Sequence, residues 1–197
     1  MRYRTDKTGA EISQLGFGCM RFTRSAGSID EKKAEREILA AVEAGVNYFD
    51  TAYLYPGSEE LLGRVTERNA LRDRIRIATK LPQYTIRTMA AVERTFREEL
   101  KRLRTDHIDY YLMHMFTDLS EWEHLRALGV EDWLAARQAE GSIRQVGFSY
   151  HGDSDMFLRI LDARDWDMCQ IQYNYMDETS QAGRIGLEAA AAKGSPS

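Results

Sequence analysis

Four polar side chains stand at or just after the ends of short apolar runs, where they could form one site. Three of these runs end at Asp50, Lys80 and His114, and Tyr55 follows the first of them by five residues. A phenol that donates a proton near neutral pH must be made a better acid, because its ordinary pKa is about 10. An acid, a cation and an imidazole beside a phenol therefore indicate proton donation to a carbonyl group.

The roles of the four side chains follow from their charges. We expect the ammonium of Lys80 to lower the pKa of Tyr55, and Asp50 to hold that ammonium charged and oriented. His114 would orient the substrate oxygen. Taken singly, Asp50 and Tyr55 could belong to ordinary turns and His114 could be a core histidine, whereas a lysine that ends an apolar strand needs a partner. Because the positions come from independent strand assignments, we interpret them as one site.

The elements that must position these residues alternate along the chain. Short apolar runs predict strands, and stretches with apolar residues at helical spacing predict helices. The predicted strands are residues 12–19, 46–50, 74–80, 107–114, 143–149 and 168–172. The predicted helices are residues 31–44, between a cap at Asp30 and a stop at Gly45, then 58–69, 85–103, 121–140 as one broken or continuous helix, 154–162 and 180–193.

Six βα units without a linker predict one α/β domain over residues 1–197. An open doubly wound sheet would need a Gly-x-Gly-x-x-Gly loop after its first strand, and Gly16-Phe-Gly18-Cys-Met-Arg does not complete that pattern. We therefore expect a (β/α)8 TIM barrel, in which the carboxyl ends of the strands carry the functional side chains. Because such a barrel typically has about 250 residues, we expect this chain to be truncated after about six βα units.

Composition narrows the class of protein. The chain has 43% hydrophobic and 29% charged residues and a net charge of −4, which is typical of a soluble protein and argues against nucleic acid as a partner. No apolar run is long enough to span a membrane, and the charged start lacks a signal core, so we expect a cytoplasmic protein. Cys19 and Cys169 lie far apart and predict buried thiols rather than a metal site.

The sequence resembles the aldo-keto reductase family from about Ile12 onwards. The segment Asp50-Thr-Ala-Tyr-Leu-Tyr55-Pro-Gly-Ser-Glu59 is similar to the first signature of that family. Ile77-Ala-Thr-Lys80 and Leu112-Met-His114 are similar to the segments that carry its lysine and histidine. The resemblance implies a TIM barrel whose catalytic group is Asp50, Tyr55, Lys80 and His114, with Tyr55 as the general acid.

The resemblance also implies a nicotinamide cofactor, NADPH or alternatively NADH. Gly147-Phe-Ser149 and the run Cys169-Gln170-Ile-Gln-Tyr-Asn174 are similar to strands five and six of the family. Ser149 and Gln170 are then the implied carboxamide ligands, and Met20, Arg21 and Asp50 are implied near the rest of the cofactor. The pattern Gly-Phe-Ser-aromatic-His-Gly, together with Gly-Cys-Met-Arg, resembles a branch whose longer members carry a C-terminal iron-sulfur segment.

The expected function is hydride transfer from NAD(P)H to a small aldehyde or ketone. Two alternatives stay open at this point. Channel-associated members of the family use the fold chiefly for interaction, so this protein could be a nicotinamide-binding regulatory subunit with little turnover. The chain could also be an inactive fragment, if the missing strands are needed for the barrel.

Overall fold

The computed structural model of the chain describes residues 1–25 and 27–194. Within them the strands are β1 (Tyr3–Thr5), β2 (Glu11–Ser13), β3 (Gly16–Gly18), β4 (Arg24–Ser25), β5 (Ser28–Ile29), β6 (Tyr48–Asp50), β7 (Arg76–Leu81), β8 (Ile108–Phe116), β9 (Ile143–Tyr150) and β10 (Met168–Ile171). The helices are α1 (Glu31–Glu43), α2 (Ser58–Arg68), α3 (Met89–Leu103), α4 (Leu119–Leu128), α5 (Val130–Glu140), α6 (Ser154–Asp162) and α7 (Gly183–Ala192). Short 3₁₀ turns at Cys19–Arg21 and Gln83–Thr85 follow β3 and β7.

Polar side chains at the helix starts explain where several helices begin. Asp30, Thr88 and Asp153 each accept a hydrogen bond from the backbone N–H of the third residue that follows. Asp118 and Glu121 form a capping box at the start of α4. Each cap satisfies backbone N–H groups that would otherwise lack a partner, which is worth about 1 kcal/mol.

Six strands form one parallel sheet in the order β10-β9-β8-β7-β6-β3, and this sheet is strongly curled. Gln170 on β10 donates a hydrogen bond of 3.0 Å to Asp50 on β6, and the hydroxyl of Tyr48 on β6 lies 3.7 Å from the sulfur of Met168 on β10. In a flat sheet, strands four places apart would be separated by about 19 Å. The predicted fold class is confirmed: this is the curled parallel sheet of a (β/α)8 barrel, with six strands in the described residues.

The two faces of the sheet have different surroundings. Outward side chains pack against the helices in a large apolar core that includes Phe49, Ile77, Tyr111, Val146 and Phe148 from the strands and Ile38, Leu61, Phe96, Leu134 and Phe157 from the helices. Inward side chains form a smaller cluster of Tyr48, Ala78, Tyr110 and Leu112. Side chains alternate between the two faces of the sheet along a strand. The residue two positions after each member of this inner cluster therefore also points to the inner face.

The predicted first strand, residues 12–19, is wrong as a single element. Its first part is β2, which pairs antiparallel with β1, and only β3 joins the barrel sheet. The chain turns between the two parts, where the hydroxyl of Ser13 donates to the carbonyl oxygen of Leu15 at 2.8 Å. All three residues of β1 are exposed, so no apolar alternation marks the hairpin in the sequence.

The structure decides one open alternative, and two helix starts differ from the prediction. Gly129, with φ of +94°, separates α4 from α5, so the segment 121–140 is broken rather than continuous. The third helix begins at Met89 instead of residue 85, because a 3₁₀ turn and the Thr88 cap precede it. The last helix begins at Gly183 instead of residue 180.

Candidate active site

The residues that the sequence singles out line one end of the inner face of the sheet. Asp50 is the last residue of β6, and Lys80, His114, Ser149 and Gln170 lie near the carboxyl ends of β7, β8, β9 and β10. Asp50, Lys80, His114 and Gln170 lie two residues after members of the inner cluster or after Met168, which packs against it, and Ser149 pairs in register with Gln170. Carboxyl ends of parallel strands meet at one end of a barrel. Five consecutive strands thus contribute one side chain each to a common site.

Lys80 is a buried cation with three oxygen acceptors around its ammonium. Its Nζ lies 2.7 and 2.8 Å from the two carboxylate oxygens of Asp50 and 2.7 Å from the carbonyl oxygen of Thr51. The side chain is only 2% exposed, so these bonds must offset the loss of several kcal/mol of hydration. Asp50 is the partner that the sequence predicts. The Thr51 carbonyl was not predicted, because a backbone acceptor leaves no mark in the sequence.

Tyr55 lies in the loop between β6 and α2, beside Lys80 and His114. The Nζ of Lys80 is 5.3 Å from the centroid of the Tyr55 ring, and the rings of Tyr55 and His114 meet edge to face with centroids 5.9 Å apart. Two turn hydrogen bonds of 3.0 Å hold the loop, from Tyr55 N–H to Ala52 and from Ser58 N–H to Tyr55. Phenol, ammonium and imidazole therefore form one cluster.

One electrostatic expectation is wrong: the pKa of Tyr55 is raised, not lowered. Burial of the phenol, followed by the negative charge of Asp50, raises the pKa of Tyr55 to about 12. The ammonium of Lys80 does not reverse this because it is bound to both oxygens of Asp50, so the pair carries little net charge as seen from the ring. Tyr55 therefore keeps its proton throughout the neutral range.

His114 is neutral in the same range. Burial, followed by the positive charges of Lys80 and His151, lowers the pKa of His114 to about 4. Its Nδ1 is buried and has no hydrogen-bond partner among the described residues. A neutral imidazole offers one N–H donor and one acceptor nitrogen, so His114 can hydrogen-bond to a ligand without bringing a charge.

A bulge in β8 changes the backbone conformation next to His114. The register between β8 and β9 shifts between Met113 and Phe116, and Met115 adopts a φ of +58°, which is uncommon for a residue with a side chain. The backbone N–H of Met115 donates to the hydroxyl oxygen of Ser149 at 2.8 Å. Ser149 therefore supports the bulge and keeps its own hydroxyl proton for another acceptor. The sequence carries no signal for this contact.

Ser149 and Gln170 together match the hydrogen-bonding groups of a carboxamide. They lie directly opposite each other in the register of β9 and β10. Gln170 Nε2 donates to Asp50, which leaves the carbonyl oxygen of Gln170 to accept from an amide N–H, while Ser149 can donate to an amide oxygen. These residues fit the carboxamide of a nicotinamide cofactor, and the bond to Asp50 links that side of the site to Lys80.

Met20 and Arg21 lie at the rim of the site. They belong to the 3₁₀ turn that follows β3, and Gly18 at the end of β3 pairs in register with Asp50. Both side chains are exposed, Met20 at 56%. Their assignment to the cofactor stays a prediction.

Two cavities among the described residues lie away from this site. One of about 500 Å³ faces the inner side of the sheet near the amino ends of the strands, against Tyr48, Tyr110 and Met168. Another of about 520 Å³ lies near His107 and Asp109. Neither contains a residue of the predicted site, so the assignment of that site depends on side-chain geometry and not on cavity size.

Across 1–25 and 27–194, no group of three or more His, Cys, Asp or Glu side chains could hold a metal ion. No helix in that part of the chain is long and apolar enough to cross a membrane. Cys19 and Cys169 are both buried free thiols, as the sequence predicts. The resemblance to a branch with a C-terminal iron-sulfur segment stays a prediction.

The fold is the curled parallel sheet of a (β/α)8 barrel, and Asp50, Tyr55, Lys80 and His114 cluster at the carboxyl ends of its strands. The profile of the aldo/keto reductase family matches residues 14–195, and the chain belongs to this family. It is 31% identical over 152 residues to aldo-keto reductase YhdN of Bacillus subtilis (strain 168), covering 72% of this chain and 44% of that protein. An aldo-keto reductase of Mycobacterium sp. (strain MCS) is 35% identical over 140 residues, covering 71% and 45%. The chain spans under half the length of these relatives.

Solved structures show the same architecture. A Pseudomonas aeruginosa protein described as an aldo-keto reductase superimposes with a TM-score of 0.81 at 30% identity, covering 97% of this chain and 74% of that one. An aldo/keto reductase of Klebsiella pneumoniae, solved with NADP and acetate, superimposes with a TM-score of 0.64 at 27% identity, covering 80% and 52%.

Proposed function

We propose that this protein transfers a hydride from NADPH to an aldehyde or ketone, with Tyr55 as the general acid. The observation that carries the proposal is the buried cluster in which Lys80 binds Asp50 at 2.7 Å and lies 5.3 Å from the Tyr55 ring, beside His114. A buried, paired lysine next to a phenol has a chemical use when negative charge develops on that phenol.

The proton path starts at the hydroxyl of Tyr55. As a carbonyl oxygen gains negative charge, it takes the phenol proton, and the bond between oxygen and hydrogen on Tyr55 breaks. The tyrosinate that remains lies beside the ammonium of Lys80, which offsets the charge of Asp50 there, and water then returns a proton to it. A pKa of about 12 means that Tyr55 holds its proton at neutral pH until the reaction draws it away. Neutral His114 orients the carbonyl oxygen by a hydrogen bond.

The cofactor side of the proposal depends on Ser149 and Gln170. Bound NADPH would supply the hydride. Ser149 as donor and Gln170 as acceptor would fix the carboxamide of the nicotinamide, with Met20, Arg21 and Asp50 nearby. The Klebsiella pneumoniae relative that was solved with NADP supports NADPH as the cofactor, and NADH is the alternative.

The test is to follow NADPH and NADH absorbance with a panel of aldehydes and ketones of increasing size. We expect carbonyl-dependent oxidation of NADPH, faster than that of NADH. If no carbonyl in the panel oxidised either cofactor, the proposal would be wrong. Tight NADPH binding without turnover would instead favour the regulatory subunit that the sequence left open.

A further inference from the structure

Arg102, near the carboxyl end of α3, reaches the loop that carries Tyr55. Its Nη1 donates to the carbonyl oxygen of Tyr53 and to a carboxylate oxygen of Glu59, both at 3.2 Å. Its guanidinium carbon also lies 4.3 Å from the centroid of the Tyr53 ring. A planar guanidinium can satisfy several acceptors and stack on a ring at the same time. One side chain thus fixes both the backbone and the ring of a residue two positions before Tyr55.

Glu59 also connects Arg102 to the strand that carries Lys80. Glu59 is only 1% exposed, and its other carboxylate oxygen accepts a hydrogen bond of 2.6 Å from the hydroxyl of Thr79. Thr79 precedes Lys80 on β7, facing outward where Lys80 faces inward. The guanidinium of Arg102 is therefore connected to the strand that carries Lys80 and to the loop that carries Tyr55.

We propose that Arg102 is a positioning residue that fixes Tyr55 relative to Lys80 from the outer side of the sheet. It touches no reacting atom, and the inference rests on the proposed function of Tyr55 as the acid. A displacement of about 1 Å at a reacting group can cost about 10²-fold in rate. Arg102 matters because its guanidinium binds Tyr53 and Glu59 while it stacks on the Tyr53 ring, and an ammonium has no planar face for that stacking.

The competing interpretation is an ion pair that only stabilises the packing of α2 against α3. That packing already has another cause. A Cβ on Gly63 of α2 would lie 2.7 Å from the carbonyl carbon of Leu103 on α3, so the two helices approach closely through the glycine. A purely structural Arg102 would change the free energy of unfolding alone, whereas a positioning Arg102 also changes turnover and the environment of Tyr55.

The kinetic test compares Arg102→Lys with Arg97→Lys on the same helix, where Arg97 is 75% exposed and pairs with Glu93 at 2.7 Å. We expect Arg102→Lys to lower kcat by about 10- to 100-fold and to leave the Kd for NADPH within about two-fold, because Ser149 and Gln170 are untouched. Arg97→Lys should behave as the original protein. Added ethylguanidinium should restore part of the activity of Arg102→Ala, and ethylammonium should not.

A second measurement is independent of turnover. NMR titration of ¹³Cζ-labelled tyrosines, with Tyr55 assigned from Tyr55→Phe, follows the pKa of Tyr55 directly. In Arg102→Lys this pKa should fall from about 12 towards the ordinary value of about 10, because a loosened loop exposes the phenol. An unchanged titration together with unchanged kcat would overturn the proposal. If Tyr55→Phe kept full activity, the proposed function would fail, while the titration would still decide whether Arg102 holds the loop.

Discussion

Gln170 and Asp50 are joined by a hydrogen bond of 3.0 Å that crosses the open end of the curled sheet from β10 to β6. The same carboxylate binds the ammonium of Lys80 at 2.7 and 2.8 Å. Asp50 therefore connects the amide that we propose to bind the cofactor with the cation beside Tyr55. Variants of Gln170 therefore test cofactor affinity, and variants of Lys80 and Tyr55 test proton donation, so the two roles can be measured separately.

The amide of Gln170 should matter for cofactor binding more than for chemistry. We expect Gln170→Leu to weaken NADPH binding by about 3- to 10-fold, because a hydrogen bond contributes about 0.5–1.5 kcal/mol. Asp50 keeps Lys80 in this variant, so kcat should change little. Fluorescence titration with NADPH measures the effect, and Gln172→Leu, two residues on at an exposed position, is the matched control. Equal affinity in Gln170→Leu and the control would contradict the assignment of Gln170.

The buried pair of Lys80 and Asp50 should show strong coupling in stability. We expect Lys80→Met to lower the free energy of unfolding by about 3–5 kcal/mol, because it leaves a largely buried carboxylate without its cation. Adding Asp50→Asn should recover part of this loss without restoring turnover. Urea denaturation of the two single variants and the double variant gives the coupling energy. A double variant no more stable than Lys80→Met would show that the carboxylate is not the cause.

His114 should titrate well below the usual range. Its pKa of about 4 lies below the unfolded value of 6.5, so the folded protein binds fewer protons than the unfolded chain between these two pH values. The free energy of unfolding should therefore fall as the pH drops from about 6.5 to about 4, and His114→Gln should remove this part of the fall. NMR titration of the imidazole checks the pKa. A midpoint near 6.5 would contradict the burial argument.

Glu99 should give the opposite pH dependence. It is fully buried against the hydroxyl of Tyr111, which donates to it at 2.7 Å, and burial raises its pKa well above the ordinary value. The folded protein then binds more protons than the unfolded chain, so this contribution to stability is present at low pH and is lost as the pH rises. We expect Glu99→Gln to flatten the fall in stability towards pH 8, as measured by urea denaturation at several pH values. A fall as steep as in the original protein would contradict this.

The sequence predicts the strand ends that carry Asp50, Lys80 and His114, because these ends are easy to place. Asp50 is the last residue of β6 as predicted, and Lys80 and His114 lie within two residues of the observed ends of β7 and β8. Apolar runs bounded by charged residues mark the strand ends in the local sequence. The alternation of strands and helices was sufficient for the fold class, because it leaves few possible arrangements of a parallel sheet.

The features that the sequence did not reveal depend on contacts between distant segments. Strand β1 has no apolar pattern, and Tyr3 is held by its hydroxyl bond to the carbonyl oxygen of Gly45. The positive φ of Met115 is supported by Ser149 on the neighbouring strand. The raised pKa of Tyr55 depends first on burial of the phenol and then on the charge of Asp50, and residue spacing in the sequence does not show how far the phenol is buried.

The central claim is that Tyr55 donates the proton. Its most direct test is the single-turnover rate of NADPH oxidation by a carbonyl substrate in Tyr55→Phe, which removes only the hydroxyl, with Tyr84→Phe in the next strand's loop as control. We predict that the rate falls by about 10²- to 10⁴-fold in Tyr55→Phe, with NADPH affinity and stability little changed, and stays near normal in the control. A Tyr55→Phe rate within a few-fold of the original would contradict the account.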